Sequence, residues 1–293
     1  MTRVYVHLIG GLGNQMFQYA AARAVTLRND ADLILDTTRT PMKGGGGGNH
    51  HSAFALGHFA IAGRIGDASD LPPSRNRPVR HTIWRMTGRS PRYIRERGLA
   101  FNSNIISLEP NCYLHGYFQS DRYFNDVSDQ IRKELTIITQ PDPVTRRWLH
   151  KIQTSNAISL HVRRGDYVTN AKFNAVFATC RPDYYRRAAG FIADQIAADP
   201  EIYAFSDDID WVRKNLELPF KMHFVDHNDY STAYNDMRLM AACRHHVIAN
   251  SSFSWWGAWL NSSEHKIVVA PAQWYRTARR DNPDITPGDW HLL

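Results

Sequence analysis

The chain has 293 residues, of which 43% are hydrophobic and 22% charged. That composition excludes a disordered chain, and the length suits two compact α/β-sized domains better than one small module. Thirty-five Lys and Arg against 28 Asp and Glu leave a formal charge of +7, which favours anionic partners such as nucleic acid, a lipid surface or a phosphorylated small molecule without choosing among them.

The amino-terminal run MTRVYVHLIGG reads as a strand entering a glycine turn, not as a signal peptide, and no apolar run approaches the ~18 residues of a membrane helix. Residues 4–9 alternate, Gly10-Gly11-Leu12-Gly13 turns the chain, and Asn14 opens a helical pattern with Met16, Phe17, Ala20, Ala24 and Leu27 on one side. DLILD at 32–36 is a second strand, completing one parallel βαβ unit. Five glycines at 44–48 fit no regular element, because glycine loses the most backbone entropy on folding. Residues 75–97 hold eight arginines against one acid, Glu96, and read as a basic, helical surface. Pro141 and Pro143 punctuate residues 137–156, so the division is drawn as 1–150, an acceptor-side domain, and 151–293, a nucleotide-binding domain. Beyond it the rhythm is regular. Strands are expected at 157–162, 202–205, 222–225, 246–249 and 267–270, and helices at 182–196, 232–243 and 251–260. This is a doubly wound α/β pattern, two such domains facing across a cleft. Cys112, Cys180 and Cys243 are odd in number and far apart, with no Cys-x-x-Cys, which fits a reducing, cytoplasmic setting.

Open α/β sheets bind ligands at the carboxyl ends of their strands. The strand at 157–162 runs into Arg163-Arg164-Gly165-Asp166 behind His161, and arginine forks suit a diphosphate, although a surface ion-pair cluster would use the same residues. Ser251-Ser252-Phe253 opens a helix, where free amides and hydroxyls can hold phosphate; Trp255, Trp256 and Trp259 read as core. Asp207 and Asp208 follow the strand at 202–205. They could cap the next helix or hold a metal, but the better use of Asp207 is to accept from the N1–H and exocyclic amine of guanine. Gly11-x-Gly13 with Asp36 partly matches a dinucleotide loop, with Met16 where a third glycine belongs. His50-His51 and His245-His246 are adjacent pairs whose side chains diverge, and read as structural.

The ordered set GGLGNQMFQYA, HVRRGDY, FSDD and NSSFSWWGAWL resembles the α-1,2-fucosyltransferases of glycosyltransferase family 11. That resemblance implies a two-domain glycosyltransferase B fold, GDP-β-L-fucose as donor, a galactose-terminated glycan as acceptor, inversion at the fucose anomeric carbon, and no metal or other cofactor. It implies that Arg163 contacts the β-phosphate and His161 the nucleoside, while Arg164 and Asp166 complete or brace the pocket. Asp207 would read guanine, and Ser251, Ser252 and Phe253 would lie at the diphosphate. Gly11 and Gly13 would let the backbone approach, and Asn14 would reach the diphosphate or acceptor. The acceptor-activating base is not assigned; Asp36 and Glu109 are the carboxylates considered. Two rival readings are a nicotinamide-dependent oxidoreductase built on Gly11-x-Gly13, and a binder of nucleic acid or membrane surface built on residues 75–97. Of the last two partners, peripheral contact with anionic lipid is expected and nucleic acid is not.

Overall fold

The computed structural model describes residues 2–38, 53–67, 70–71, 79, 82–83, 86, 91–196, 198–277 and 282–293. The glycine run at 44–48, the His50-His51 pair and most of the Arg-rich segment lie outside those residues. The chain divides into two units, Met1–Thr136 and Ile137–Leu293.

The first unit is built on a parallel sheet of five strands in the order β3-β2-β1-β5-β4, namely β1 (Arg3–His7), β2 (Asp32–Asp36), β3 (Arg64–Ile65), β4 (Arg92–Arg95) and β5 (Cys112–His115). Its helix α1 (Leu12–Asn29) begins two residues before the expected Asn14 and is buried on nearly every side, not along one stripe. The reason is its alanines: Ala20, Ala21, Ala22 and Ala24 are all fully buried and let neighbouring elements close on the helix. Arg23 fixes α1 to α2 (Ser128–Glu134) through a forked pair with Glu134 at 2.8 Å, and Tyr19 donates to the same carboxylate. Residues 92–95, expected to be helical, instead form the edge strand β4 in register with β5; Tyr93 and Ile94 are adjacent, so no period-two alternation marks the strand, and its place is set by the pairing with β5.

The second unit is a parallel sheet of six strands in the order β11-β10-β9-β6-β7-β8. These are β6 (Ala157–Val162), β7 (Glu201–Ser206), β8 (Lys221–Val225), β9 (His245–Val247), β10 (Val268–Ala270) and β11 (His291–Leu292). Ile158, Leu160, Val162, Ile202 and Ala204 pack one face against α6 (Pro182–Ile196), which follows the short helices α4 (Gly165–Thr169) and α5 (Ala171–Asn174), and against α7 (Ile209–Asn215). Ala157, Tyr203, Phe205 and Val225 pack the other against α3 (Pro143–Gln153) and α8 (Ala233–Ala242). A division at 150 would cut α3. Asp142 caps that helix by accepting from Val144 and Thr145, Pro143 takes its first turn, and Ile152 is buried in the second unit's core. The prolines thus start a helix of the second unit instead of marking a linker.

The His245-His246 pair is structural: His245 Nδ1 accepts from the Ile267 amide at 3.1 Å. His246 Nε2 accepts from Asn261 at 3.0 Å, so its Nδ1–H donates to Ser159 Oγ at 3.3 Å. Burial, assisted by Lys266 and His245, holds this ring well below its ordinary pKa of 6.5. Below about pH 6.5 the unfolded chain therefore binds a proton that the native chain does not, and stability must fall as pH falls. We expect the melting temperature to drop between about pH 7 and pH 5, and His246→Asn to show a shallower drop despite lower stability at neutral pH. An unchanged slope in thermal melts of that variant would contradict this.

Candidate active site

In the second unit the strand order reverses between β6 and β9, since β6 continues to β7 on one side while β9 and β10 lie on the other. A crevice at such a switch point, outside the carboxyl ends of the strands, is where open parallel sheets take ligands. The β6 end and the start of α9 (Ser252–Leu260) meet there, with the His161 and Phe253 rings 5.8 Å apart.

His161 is the last-but-one residue of β6 and faces the α8 side of the sheet. It is 5% exposed, and its Nδ1 is buried without a hydrogen-bond partner among the described residues. Burial drives the ring toward its neutral form, with Asp207 opposing and Arg163 assisting. A buried, unpaired imidazole nitrogen is costly unless a ligand satisfies it.

The two arginines diverge. Arg163 Nη1 contacts Asp207 Oδ2 at 2.7 Å, its Nη2 lies 4.0 Å from Asp166, and its guanidinium lies 5.3 Å from the Tyr167 ring. Arg164 turns to the other side, where Nε meets Asp208 at 3.2 Å and the guanidinium lies 3.7 Å over Trp211. The Arg164 backbone N–H also donates to Asp207 Oδ1 at 2.9 Å. Both arginines therefore have carboxylate partners, and the Asp207 carboxylate already accepts from two of them. Gly165 is required beside this pair, because a Cβ there would collide with the Asp207 carboxylate. Asp208 caps α7 through Trp211 N at 3.2 Å, which accounts for the second aspartate of the pair.

Ser251 is spent on the cap of α9. Its hydroxyl accepts from the Phe253 amide at 3.3 Å and its own N–H donates to Ala249 at 2.7 Å. Ser252 and Phe253 remain at the opening turn, while Trp255 and Trp256 are fully buried and Trp259 nearly so. Asn250 is locked beneath them, donating to the carbonyls of Ala178 at 2.6 Å and Trp274 at 2.9 Å. Two residues absent from the expected set join the cluster. Tyr167 stacks on Phe177 at 4.4 Å, and Tyr230, after β8, is held up at about 12 by burial with the Arg163 charge opposing. Tyr167 sits inside the HVRRGDY motif, but nothing local marks Tyr230. Among the described residues, no group of three or more His, Cys, Asp and Glu is placed to hold a metal ion.

In the first unit, Gly10 takes φ +78°, and a Cβ there would press on Asn14 Nδ2 at 2.7 Å. Gly11 accepts the first amides of α1, from Asn14 at 3.0 Å and Gln15 at 3.1 Å, and Gly13 is buried in its first turn. Asn14 is steadied by Gln119, which donates to its Oδ1 at 2.9 Å. Gln15 is a structural tie, donating to Gly10 and Ala53 carbonyls at 2.8 Å and accepting from Ala55.

Asp36 ends β2 beside His7, which ends β1. Its carboxylate accepts from Tyr113 OH and from the Thr38 amide at 2.9 Å, and lies 3.2 Å from His7 Nδ1. Burial pushes this carboxyl up, but the hydrogen bonds prevail and leave it at about 2. The acid that a dinucleotide would need for its ribose is thus engaged, which removes the main support for the oxidoreductase reading. Glu109 is exposed and precedes β5, at the amino edge of the sheet, away from the ligand-binding ends.

Glycosyl transferase family 11 matches residues 86–293. An Escherichia coli alpha-1,2-colitosyltransferase is 30% identical over 298 residues, spanning 99% of this chain and 98% of its own length. The Escherichia coli O-antigen biosynthesis glycosyltransferase WbnK is 29% identical over 311 residues, spanning 98% of this chain and 99% of its own. The galactoside alpha-(1,2)-fucosyltransferase 1 of Saimiri sciureus is 25% identical over 162 residues, 52% of this chain and 43% of its own. Among solved structures, a variant of Arabidopsis thaliana FUT1 in complex with GDP shares the fold, with a TM-score of 0.51 at 10% identity over 91% of this chain and 70% of that one. The family match and the end-to-end similarity to enzymes of sugar transfer together establish that this chain belongs to glycosyltransferase family 11 and is a glycosyltransferase.

Proposed function

We propose that the enzyme moves L-fucose from GDP-β-L-fucose to the 2-hydroxyl of a galactose-terminated acceptor, with inversion, in glycan synthesis of the O-antigen kind. The observation that carries this reading is the convergence, at the switch point of the second sheet, of Arg163, the unpaired Nδ1 of His161 and the opening turn of α9. A guanidinium, a helix start and an unsatisfied imidazole suit a nucleoside diphosphate better than any neutral ligand.

The roles follow from charge. The β-phosphate replaces the Asp207 carboxylate as partner of Arg163, and the released carboxylate accepts from guanine N1–H and its exocyclic amine. His161 Nδ1 meets the nucleoside. Arg164, fixed by Asp208 and Trp211, and Asp166, near Arg163, hold the loop. Ser252 and the amides of the α9 turn receive the diphosphate, with Ser251 as cap. As the C1–O bond breaks, the fucosyl group becomes oxocarbenium-like and GDP departs with the electron pair. Arg163 stabilises that charge more in the transition state than in the ground state, the work a divalent metal would otherwise do, so transfer needs no added metal. Contact of residues 75–97 with anionic lipid, and a cytoplasmic setting, belong to the same proposal. No helix among the described residues is long and apolar enough to cross a membrane.

A second donor has a specific observation in its favour, because the colitosyltransferase resembles this chain over nearly its whole length. Colitose is fucose without its 3-hydroxyl. A site that hydrogen-bonds this hydroxyl rejects the deoxy sugar by about 10⁴–10⁵, whereas an apolar pocket discriminates only ~10²-fold. Incubation with GDP-fucose or GDP-colitose and a panel of β-galactosides, with linkage read by NMR, decides the donor. Transfer from neither would refute the proposal. In the same assay Arg163→Ala should lower kcat by roughly 10²–10³-fold, the usual loss for one charge-stabilising donor, with the fold intact by circular dichroism; near-normal turnover would refute the phosphate role. Asp207→Asn, which exchanges one acceptor oxygen for a donor, should weaken GDP by about tenfold or more in calorimetry and blur its preference over ADP. Unchanged guanine selectivity would count against the base-reading role.

A further inference from the structure

The α6 face of the second sheet carries a cavity of about 800 Å³ beside the carboxyl ends of β6 and β10, within the size range of small-molecule sites. Tyr184 and Trp211 of its wall pack on that face. The donor crevice opens on the other face, where His161 meets Phe253. Four arginines line the cavity, Arg164, Arg181, Arg187 and Arg276, against one acid, Asp183. Two of these charges are already matched: Arg164 pairs with Asp208 at 3.2 Å, and Asp183 pairs with Arg186, outside the lining, at 2.7 Å. Arg181 and Arg187 are exposed and have no carboxylate partner among the described residues. Arg276 is held in place. Its Nε donates to the Phe177 carbonyl at 3.0 Å and its Nη2 to Asn174 Oδ1 and Thr179 Oγ1 at 3.4 Å each, which leaves Nη1 without a hydrogen bond among the described residues. Three guanidiniums without a counter-charge therefore line one concave space, and an anion bound there offsets their mutual repulsion.

We propose that this cavity is a second ligand site, taking a saccharide that bears a carboxylate or a phosphate, with Arg181, Arg187 and Nη1 of Arg276 on the anionic group. Guanidinium forks match both anions in geometry. Asn174, Thr179 and Gln273 in the lining supply amides and a hydroxyl for sugar hydroxyls. The aromatic rings of the wall are already engaged. Trp211 lies under Arg164 at 3.7 Å, and Tyr184 packs edge-on against Tyr185 at 5.1 Å and donates its hydroxyl to the Ile248 carbonyl at 2.7 Å. A nucleobase gains no stacking partner there, which favours a sugar over a nucleotide. An acidic sugar unit in the glycan that a glycosyltransferase extends supplies the required chemistry. The assignment does not rest on the donor reading, since it uses residues of the second unit alone and none of them but Arg164 belongs to the donor site.

Saturation-transfer difference NMR on the whole enzyme tests this, with D-glucuronate and glucose 1-phosphate as probes and D-glucose as the neutral control. At least one of the two acids should receive saturation while glucose does not, and the acid that binds identifies the anionic group. Arg181→Gln and Arg187→Gln change exposed side chains, so the fold is not at stake; each should weaken binding by about tenfold, the loss expected for one charge-assisted hydrogen bond, with GDP affinity by calorimetry unchanged. The signals should persist with GDP at saturation, because the two sites lie on opposite faces of the sheet. Transfer to neither acid, equal transfer to glucose, or undiminished binding in both variants would overturn the proposal. Loss of the signals on adding GDP would place the acids in the donor crevice and overturn it as well. So would full displacement by an equal concentration of inorganic phosphate, which would leave a bare anion site. An enzyme that binds the acids but not GDP would strike the donor reading alone, which keeps the two apart.

Discussion

The ion pair between Arg163 and Asp207 is the interaction on which the site depends. It joins the ends of two adjacent strands, β6 and β7, which pair in register from Ala157 with Glu201 to Val162 with Ser206. The register alone brings residue 163 opposite residue 207. With side chains 22% and 25% exposed, the pair is neither a loose surface contact nor a sealed core bridge. On the proposed function such a pair would exchange partners: a diphosphate offers the guanidinium a second anion, and the carboxylate freed by that exchange could accept from the two donors on one edge of guanine. Binding of the phosphate and reading of the base would then be coupled through one switch of partner.

The second arginine explains why the strand ends in two. Arg164 points to the opposite side of the sheet, stacks on Trp211 and pairs with the cap of α7, which fixes the loop from below. Gly165 follows because there is no space beside Asp207 for a side chain. The same economy of position appears in the first unit. There Gly10 makes room for Asn14, and parallel pairing sets the ends of β1 and β2, His7 and Asp36, side by side, where the hydroxyl of Tyr113, in register with Tyr5, reaches them.

Much of this was readable from sequence where the signal is local. The strands at 32–36 and 157–162 and the helix at 182–196 fall at their expected bounds, because apolar runs there are closed by charged or turn-forming neighbours. The convergence of HVRRGDY, FSDD and the serine turn was legible too, since each motif ends a parallel strand. What was not legible depends on contacts between distant residues. The helix at 143–153 hid behind its own prolines, and β4 was masked by the arginines that surround it. Asp207 reads from the sequence as an acceptor for a base; that it also pairs with Arg163 depends on the register of β6 with β7. His7 carried no signal, because its partners stand 29 and 106 residues away. Alternation shows that His7 shares a face with Tyr5, but only strand order shows what lies beside it.

The most direct test of the coupled exchange is a calorimetric titration with GDP of the folded wild-type enzyme and of Arg163→Ala. The account predicts saturable, metal-independent binding to the wild type and a loss of about tenfold or more in the variant, as expected when a charge-assisted hydrogen bond is removed. No heat of binding from a properly folded wild-type sample, or equal affinity in the two proteins, would contradict it.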